Sequence, residues 1–430
     1  MNTQHTDDVG SYIAEAYSAT WHVTGLPEDV TRRPIRSVGV IGAGTMGGGI
    51  AMNFASAGIP VTIVETTQEA LDRGLSVVRG NYQRSADKGR FSQAEVEARM
   101  ARFDGRLTMD SLANCDLIIE AVFEDMELKR RIFTDLDRLA KPGAILATNT
   151  SALDIDEIAA MTKRPADVIG LHFFSPANVM KLLEIVRAKH TSDDVVATCM
   201  ALARDIDKIA SLVGVCPGFV GNRIHFARKK QAYKLLYKGV MPWEADAALT
   251  KFGFKMGLFR ASDLAGLDIG WQKGAVTEYP VRDALCELGR RGQKTGAGFY
   301  DYDDARNAVP SELAAKVIRD VTGAEPSGMG EGEILETLIF PMINEAVKIL
   351  EENKAQRASD IDVIWLNGYG WPADKGGPMY YADTVGAAAV LDRMEALGAE
   401  DTEFEAAETL RRLAKQGGRF VDLDFGGLKV

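Results

Sequence analysis

Residues Val38–Ala51 read VGVIGAGTMGGGIA. The apolar run Val38, Val40, Ile41 stops at Gly42, Gly44 and Gly47, and apolar positions at helical spacing (Ile50, Phe54, Ala57) follow at once. A buried strand that feeds a glycine turn opening a helix is suited to a dinucleotide. Gly42 permits the tight turn, Gly44 lets a pyrophosphate approach the backbone, and Gly47 lets helix and strand pack closely. The helix start offers unpaired N–H groups and positive potential. Ala43, Thr45 and Met46 complete the turn. A GxGxxG run alone is a weak signal, so the surrounding unit decides.

Working outward, an apolar strand pattern at Val61–Glu65 ends in an acid 23 residues after Gly42. A carboxylate there accepts hydrogen bonds from both ribose hydroxyls of an adenosine and repels a 2′-phosphate, which selects NAD over NADP. The bland reading of Glu65 is a solvated strand end. Further strand patterns at Asp116–Val122, Ala144–Thr148, Val168–Phe174, Leu182–Val186 and Lys208–Val213 alternate with helical ones at 67–103 (broken near Lys88–Phe91), Leu128–Leu139, Ile155–Met161 and Val195–Asp205. Near-continuous apolar strands of this kind predict a parallel α/β sheet of the Rossmann type, covered on both faces. Residues 1–35 read as an N-terminal segment, a short helix at Ser11–Ser18 followed by an extended linker.

After Pro217 the texture turns helical. Phe252–Leu267 (FGFKMGLFRASDLAGL) is weakly echoed by Tyr369–Val385 (YGWPADKGGPMYYADTV), each after a long helical pattern, Asn222–Tyr237 and Ile334–Glu351. The expected organisation is an N-terminal segment (1–35), an NAD-binding α/β domain (36–215) and two related all-α domains (216–325 and 326–430). Chance likeness between glycine-aromatic turns is the alternative.

The chain has 430 residues, ample for several cores, with 46% apolar and 26% charged residues. A net charge of −11 argues against nucleic-acid binding. No apolar run is long enough to cross a bilayer, so no membrane partner is expected. The N-terminus MNTQHTDDVG resembles neither a secretory signal nor a transit peptide, and FGGLKV is not an SKL-type address. Cys115, Cys199, Cys216 and Cys286 are scattered and form no metal-ligand spacing, so no metal is expected. They read as reduced, packed thiols, which suggests a cytoplasmic protein.

The residues that could carry chemistry lie at strand ends. His172 closes an apolar strand, and Glu184 sits inside the next one. A core histidine is the plain reading of such a position. Alternatively the two meet, and the carboxylate orients the imidazole and stabilises its cation, as a general base requires. Asn149, Thr150 and Ser151 follow the strand Ala144–Thr148 at the sheet edge that faces ligands, although Asn and Ser are also ordinary turn formers. Pro217–Arg223 (PGFVGNR) opens the helical half, with Asn222 taken to lie one turn inside a helix. Lys88 lies in a basic helical stretch with Arg79, Arg84 and Arg90, which is either a solvated face or a phosphate contact.

Taken together, GAGTMGGGIA, EAVFEDMELK, ATNTSALDI, HFFSPANVMKLLEIV, PGFVGNR and GQKTGAGFYDYD resemble the L-3-hydroxyacyl-CoA dehydrogenases of fatty-acid β-oxidation, from about Arg36 to the C-terminus. The helical half resembles the dehydrogenase portion of multifunctional β-oxidation enzymes, which carry two copies of that domain. The resemblance implies NAD-dependent oxidation of a 3-hydroxyacyl-CoA thioester. It matches His172 to the catalytic base, Glu184 to its acidic partner, and Ser151 and Asn222 to the residues that hold the reacting oxygen. Gly42, Gly44, Gly47 and Glu65 match cofactor positions, with Ala43, Thr45, Met46, Ala121, Val122 and Asn149 beside them. Glu124 and Lys129 match a pair near the nicotinamide ribose, and Lys88 a basic residue on CoA. Those multifunctional relatives also place an enoyl-CoA hydratase before a linker like Trp21–Arg36, so a separate hydratase or thiolase is an expected partner. A monomer or a homodimer suits a duplicated helical domain. Two other readings are an NAD-fold scaffold for such a partner and a β-hydroxyacid dehydrogenase that uses a lysine on free acids. The His172/Glu184 pair disfavours both.

Overall fold

The computed structural model describes residues 8–27, 29–274, 276–400 and 404–428. The targeting expectations drawn from residues 1–7 and 429–430 lie outside them. By its contacts the chain forms two units: Met1–Arg223 with Ile349–Tyr369 and Val421–Val430, and Ile224–Lys348 with Gly370–Phe420.

The first unit begins with helix α1 (Val9–Ala19) and continues β1 (Val38–Ile41), α2 (Thr45–Ser56), β2 (Val61–Val64), α3 (Gln68–Asp87), α4 (Gln93–Met100), β3 (Phe103–Arg106), β4 (Leu117–Glu120), α5 (Met126–Leu139), β5 (Ile145–Thr148), α6 (Ile155–Ala159), β6 (Val168–Phe173), β7 (Leu182–Arg187), α7 (Asp193–Asp205) and β8 (Ile209–Gly214). The eight strands are ordered β3-β2-β1-β4-β5-β6-β7-β8. Val38, Val40, Leu117, Ile119 and Ile145 on one face and Ile118 and Leu146 on the other are essentially solvent-free, as a sheet covered on both faces requires. Each such side chain contributes about 1.5–3 kcal/mol by leaving water. Strand order reverses at β1, so the crevice beyond the carboxyl ends of β1 and β4 is the natural ligand position.

The 67–103 stretch forms helices α3 and α4 with the expected break between them; the strand that follows, β3, is not announced by the sequence, because FDGR has no apolar run and its pairing with β2 decides the outcome. One expectation needs correction: the sheet is not wholly parallel, because β6 and β7 pair antiparallel. Residues 174–181 are too short for the crossover of a dozen or more residues that a parallel neighbour needs. That reversal puts His172 and Glu184 directly opposite one another. The 174–181 connection is held by the Lys208 ammonium, which donates to the carbonyls of Ala177 (2.6 Å) and Met180 (2.7 Å).

The N-terminal segment is part of this unit rather than an appendage to it. Thr20 Oγ1 donates to the Ala210 carbonyl, and Tyr17 to Asn367 of α14 (Ala358–Gly368). Gly214 N–H donates to the Lys354 carbonyl, which ties the 349–369 stretch to the end of β8.

The remaining elements are α8 (Gly221–Tyr237), α9 (Pro242–Phe252), α10 (Leu258–Ala265), α11 (Pro280–Glu287), a hairpin of β9 (Tyr300–Tyr302) and β10 (Ala308–Pro310), α12 (Glu312–Thr322), α13 (Glu331–Glu351), α15 (Pro378–Val385), α16 (Ala387–Glu400) and α17 (Glu408–Gln416). The two echoed stretches share local conformation. The short helices α10 and α15 each end at a glycine of positive φ, Gly266 (108°) and Gly386 (93°). Each also carries an aspartate that accepts a phenylalanine N–H: Asp263 from Phe299 (2.9 Å) and Asp383 from Phe420 (2.7 Å).

Asp263 is solvent-free. Burial raises its carboxyl to about 6, against the lowering effect of the Phe299 and Tyr300 N–H groups and the Tyr302 hydroxyl. A carboxyl raised in the fold favours the folded state most when protonated, below its unfolded value, and that advantage is lost as pH rises through about 6. Asp263→Asn is therefore expected to lose more melting temperature relative to wild type at pH 4 than at pH 7, the swing being on the order of 3 kcal/mol at most. Parallel thermal melts across that range check this; a pH-independent difference contradicts it.

Candidate active site

At the carboxyl ends of β1, β2, β4, β5 and β6 lies a cavity of about 760 Å³. Gly42, Gly44, Thr45, Met46, Glu65, Ala121, Val122, Glu124, Asn149, Ser151, His172 and Asn222 all line it. Ala43, Gly47, Lys129 and Glu184 do not line it and stand behind that surface as its support. Lys88 lies elsewhere, in a second cavity of about 460 Å³ with Arg84, Arg90, Asn178 and Gly48 and Gly49 of α2.

The glycine turn has the geometry a dinucleotide needs. Gly42 has φ of 101° and precedes the α2 start, where the first N–H groups have no helical partner. A Cβ at Gly44 meets nothing within 4 Å, so that backbone face is open to a ligand; a Cβ at Gly47 would run into the Gly42 carbonyl oxygen. Glu65 accepts the N–H of Ala43 (2.8 Å) and that of Thr66 (3.0 Å), fixing its charge at the rim. These features fit NAD.

At the other end of the cavity, His172 Nδ1 lies 2.7 Å from Glu184 Oε2, and Glu184 Oε1 accepts the Gly221 N–H at 2.8 Å. Glu184 is solvent-free and His172 is 5% exposed. A buried carboxylate only accepts, so Nδ1 carries the proton and Nε2 is left as the ring's acceptor. Gly221 opens α8, so Glu184 accepts one of the backbone N–H groups that the helix start leaves without a helical partner. Asn222 is thus at the helix edge, not a turn inside as the sequence suggested. The turn before it is set by Gly218 (φ 76°) and Phe219 (φ 51°), with Cys216 Sγ donating to the Phe219 carbonyl. The Phe174 and Phe219 rings lie 4.4 and 5.6 Å from the His172 ring and wall it in.

A second polar cluster joins the β4 and β5 ends. Glu124 Oε1 accepts from the Thr150 hydroxyl (2.7 Å), the Ser151 N–H (2.8 Å) and the Ser151 hydroxyl (3.1 Å). Burial acts to raise Glu124, but the Thr150 hydroxyl, the Lys129 ammonium and Ser151 outweigh it and hold the carboxyl below its ordinary range. Lys129 also pairs with Glu120 at 2.7 Å, both groups being almost solvent-free. Glu120 further accepts from Thr148 (2.7 Å) and the Val122 N–H (2.8 Å). Asn149 Oδ1 accepts the Phe173 N–H at 2.9 Å, linking β5 to the histidine strand. Sequence reasoning missed Glu120; the one signal for it was an acid closing the apolar run Leu117–Ile119.

The four cysteines are free and buried. Burial pushes Cys199 up to about 12 and Cys216 and Cys286 up to about 11, so none is a ready nucleophile. Among the described residues no cluster could hold a metal ion, and no helix is long and apolar enough to cross a membrane.

The family model for the 3-hydroxyacyl-CoA dehydrogenase NAD binding domain matches residues 37–215, and that for the C-terminal domain of the same family matches residues 218–302 and again 332–420. The chain is 42% identical to a peroxisomal bifunctional enzyme of Cavia porcellus, with 97% of this chain and 62% of that protein covered. It is 43% identical to the Homo sapiens protein of the same name, with 95% and 60% covered. The chain thus spans about 60% of the length of these relatives. Among solved structures, it is similar to the 3-hydroxybutyryl-CoA dehydrogenase of Escherichia coli (26% identity, TM-score 0.76, 89% of this chain and 99% of that one). It is also similar to the dehydrogenase part of multifunctional enzyme 1 from C. elegans (30%, TM-score 0.67, 93% and 96%). The curated relatives are named as peroxisomal or glyoxysomal, which gives no support to the cytoplasmic location expected from the sequence.

The Glu120–Lys129 pair makes a clear stability prediction. Lys129→Met strands a buried carboxylate and is expected to cost about 3–5 kcal/mol, and adding Glu120→Gln is expected to recover part of it. Denaturant titration measures both; a loss for Lys129→Met below about 1 kcal/mol contradicts the assignment.

Proposed function

Because the chain belongs to the 3-hydroxyacyl-CoA dehydrogenase family, we propose that it oxidises (S)-3-hydroxyacyl-CoA thioesters reversibly to 3-ketoacyl-CoA with NAD. The observation that carries this reading is the His172–Glu184 pair at the wall of the glycine-turn cavity. Bound NAD supplies the hydride acceptor. His172 Nε2 takes the proton of the substrate hydroxyl. Glu184, held by the Gly221 N–H, keeps the imidazole in the required tautomer and offsets the charge it acquires. Asn222 and Ser151 fix the substrate oxygen so that one face of C3 meets the cofactor. Glu65 selects the unphosphorylated ribose.

Lys88, with Arg84 and Arg90 in the adjoining cavity, suits a phosphate-bearing part of a CoA ester, because Gly44 and Thr45 line both cavities. The thiols suit a reducing compartment, whether cytoplasmic or that of the relatives' organelles. The helical residues 218–302 and 332–420 are read as a duplicated domain. A hydratase that supplies the hydroxy thioester, or a thiolase that consumes the ketone, is a fitting partner.

His172→Ala is expected to lower kcat for NADH oxidation with acetoacetyl-CoA by at least about 10²-fold and to leave NADH affinity within a few-fold. Steady-state rates and NADH fluorescence titration check this. An unchanged rate removes His172 from the reaction, and wild-type turnover of free acetoacetate in preference to its CoA ester removes the thioester reading.

A further inference from the structure

Asn222 does not hold its own orientation. Its Nδ2 donates to the Ser151 carbonyl at a long 3.2 Å, while its Oδ1 accepts the Tyr369 hydroxyl at 2.8 Å. A carbonyl cannot donate, so the amide nitrogen must face Ser151 and the amide oxygen must face Tyr369. The second Nδ2 hydrogen is then the group Asn222 offers to the cavity it lines. We propose that Tyr369 is a positioning residue for the reaction: its hydroxyl locks the Asn222 amide with the N–H side toward the substrate oxygen.

The surroundings support an orienting role for the hydroxyl distinct from packing. The Tyr369 ring stacks on Trp365 (4.5 Å) and meets Phe174 edge-on (5.5 Å), and Phe174 lies against His172. The ring also lies so near the start of α8 that a Cβ at Gly221 would sit 2.5 Å from it, and Gly221 is the N–H that holds Glu184. These contacts need only an aromatic ring. The echoed position in the first copy of the repeat, Phe252 in FGF against Tyr369 in YGW, has the ring and no hydroxyl. The fold of the repeat therefore does not demand the hydroxyl; the Asn222 contact uses it. By this inference, residues 332–420, the second match to the C-terminal domain, contribute a polar group to the active site.

The inference rests on the proposed dehydrogenase reaction, and its test separates the two. Tyr369→Phe in the full chain keeps the ring and removes the hydroxyl that donates to Asn222. It is expected to lower kcat with acetoacetyl-CoA and NADH by about 5–10-fold, with NADH affinity unchanged. In an Asn222→Ala background the same change is expected to have less than about a twofold effect, because the group it orients is gone. A full multiplicative loss in that background, or a Tyr369→Phe rate equal to wild type, overturns the inference and leaves the reaction standing. A wild-type protein inactive on all 3-ketoacyl-CoA esters overturns the reaction reading, and the inference with it.

Discussion

The carboxylate of Glu184 is the constraint around which the site is built. It is solvent-free, and a charge taken out of water costs several kcal/mol unless good partners replace the lost hydration. Its two oxygens are each satisfied once, by the His172 ring and by the Gly221 N–H. Both partners depend on larger features: the first on the antiparallel turn between β6 and β7, the second on the start of α8. Strand pairing, helix entry and imidazole tautomer are thereby coupled through one buried group. A base that must gain and lose a proton benefits from a counter-charge that cannot move.

The opposite wall uses the same economy. Glu120, Lys129 and Glu124 tie the ends of β4 and β5 together, and Glu124 gathers Thr150 and Ser151. Ser151 in turn offers its carbonyl to Asn222, so the two polar clusters meet at a residue that lines the cavity. The glycines of the turn contribute backbone and no side chain. They contribute open backbone at Gly44 and close packing at Gly47, leaving Glu65 to set the rim charge.

How much of this the sequence disclosed follows from the range of each interaction. The glycine turn and Glu65 are one strand-turn-helix-strand unit, and their pattern is local, so it was readable. His172 and Glu184 are separated by twelve residues and a short connection, so their meeting could be weighed though not decided without the pairing of β6 and β7. Strand β3 escaped notice because its FDGR sequence has no strand pattern and gains its identity from β2. Glu120 and Tyr369 escaped because their partners are distant in the chain; Tyr369 reaches Asn222 across 147 residues. The N-terminal segment read as a linker because its partners, Ala210 and Asn367, lie far along the chain.

The most direct test of the buried Glu184 as the site's organising charge is Glu184→Gln, which keeps size and shape while removing the negative charge. NADH oxidation by acetoacetyl-CoA is measured beside NADH affinity for this variant and wild type. The account predicts a fall in kcat of at least about tenfold with cofactor affinity preserved, because the imidazole would lose the group that fixes its tautomer and stabilises its cation. A Glu184→Gln protein that turns over at the wild-type rate would contradict it.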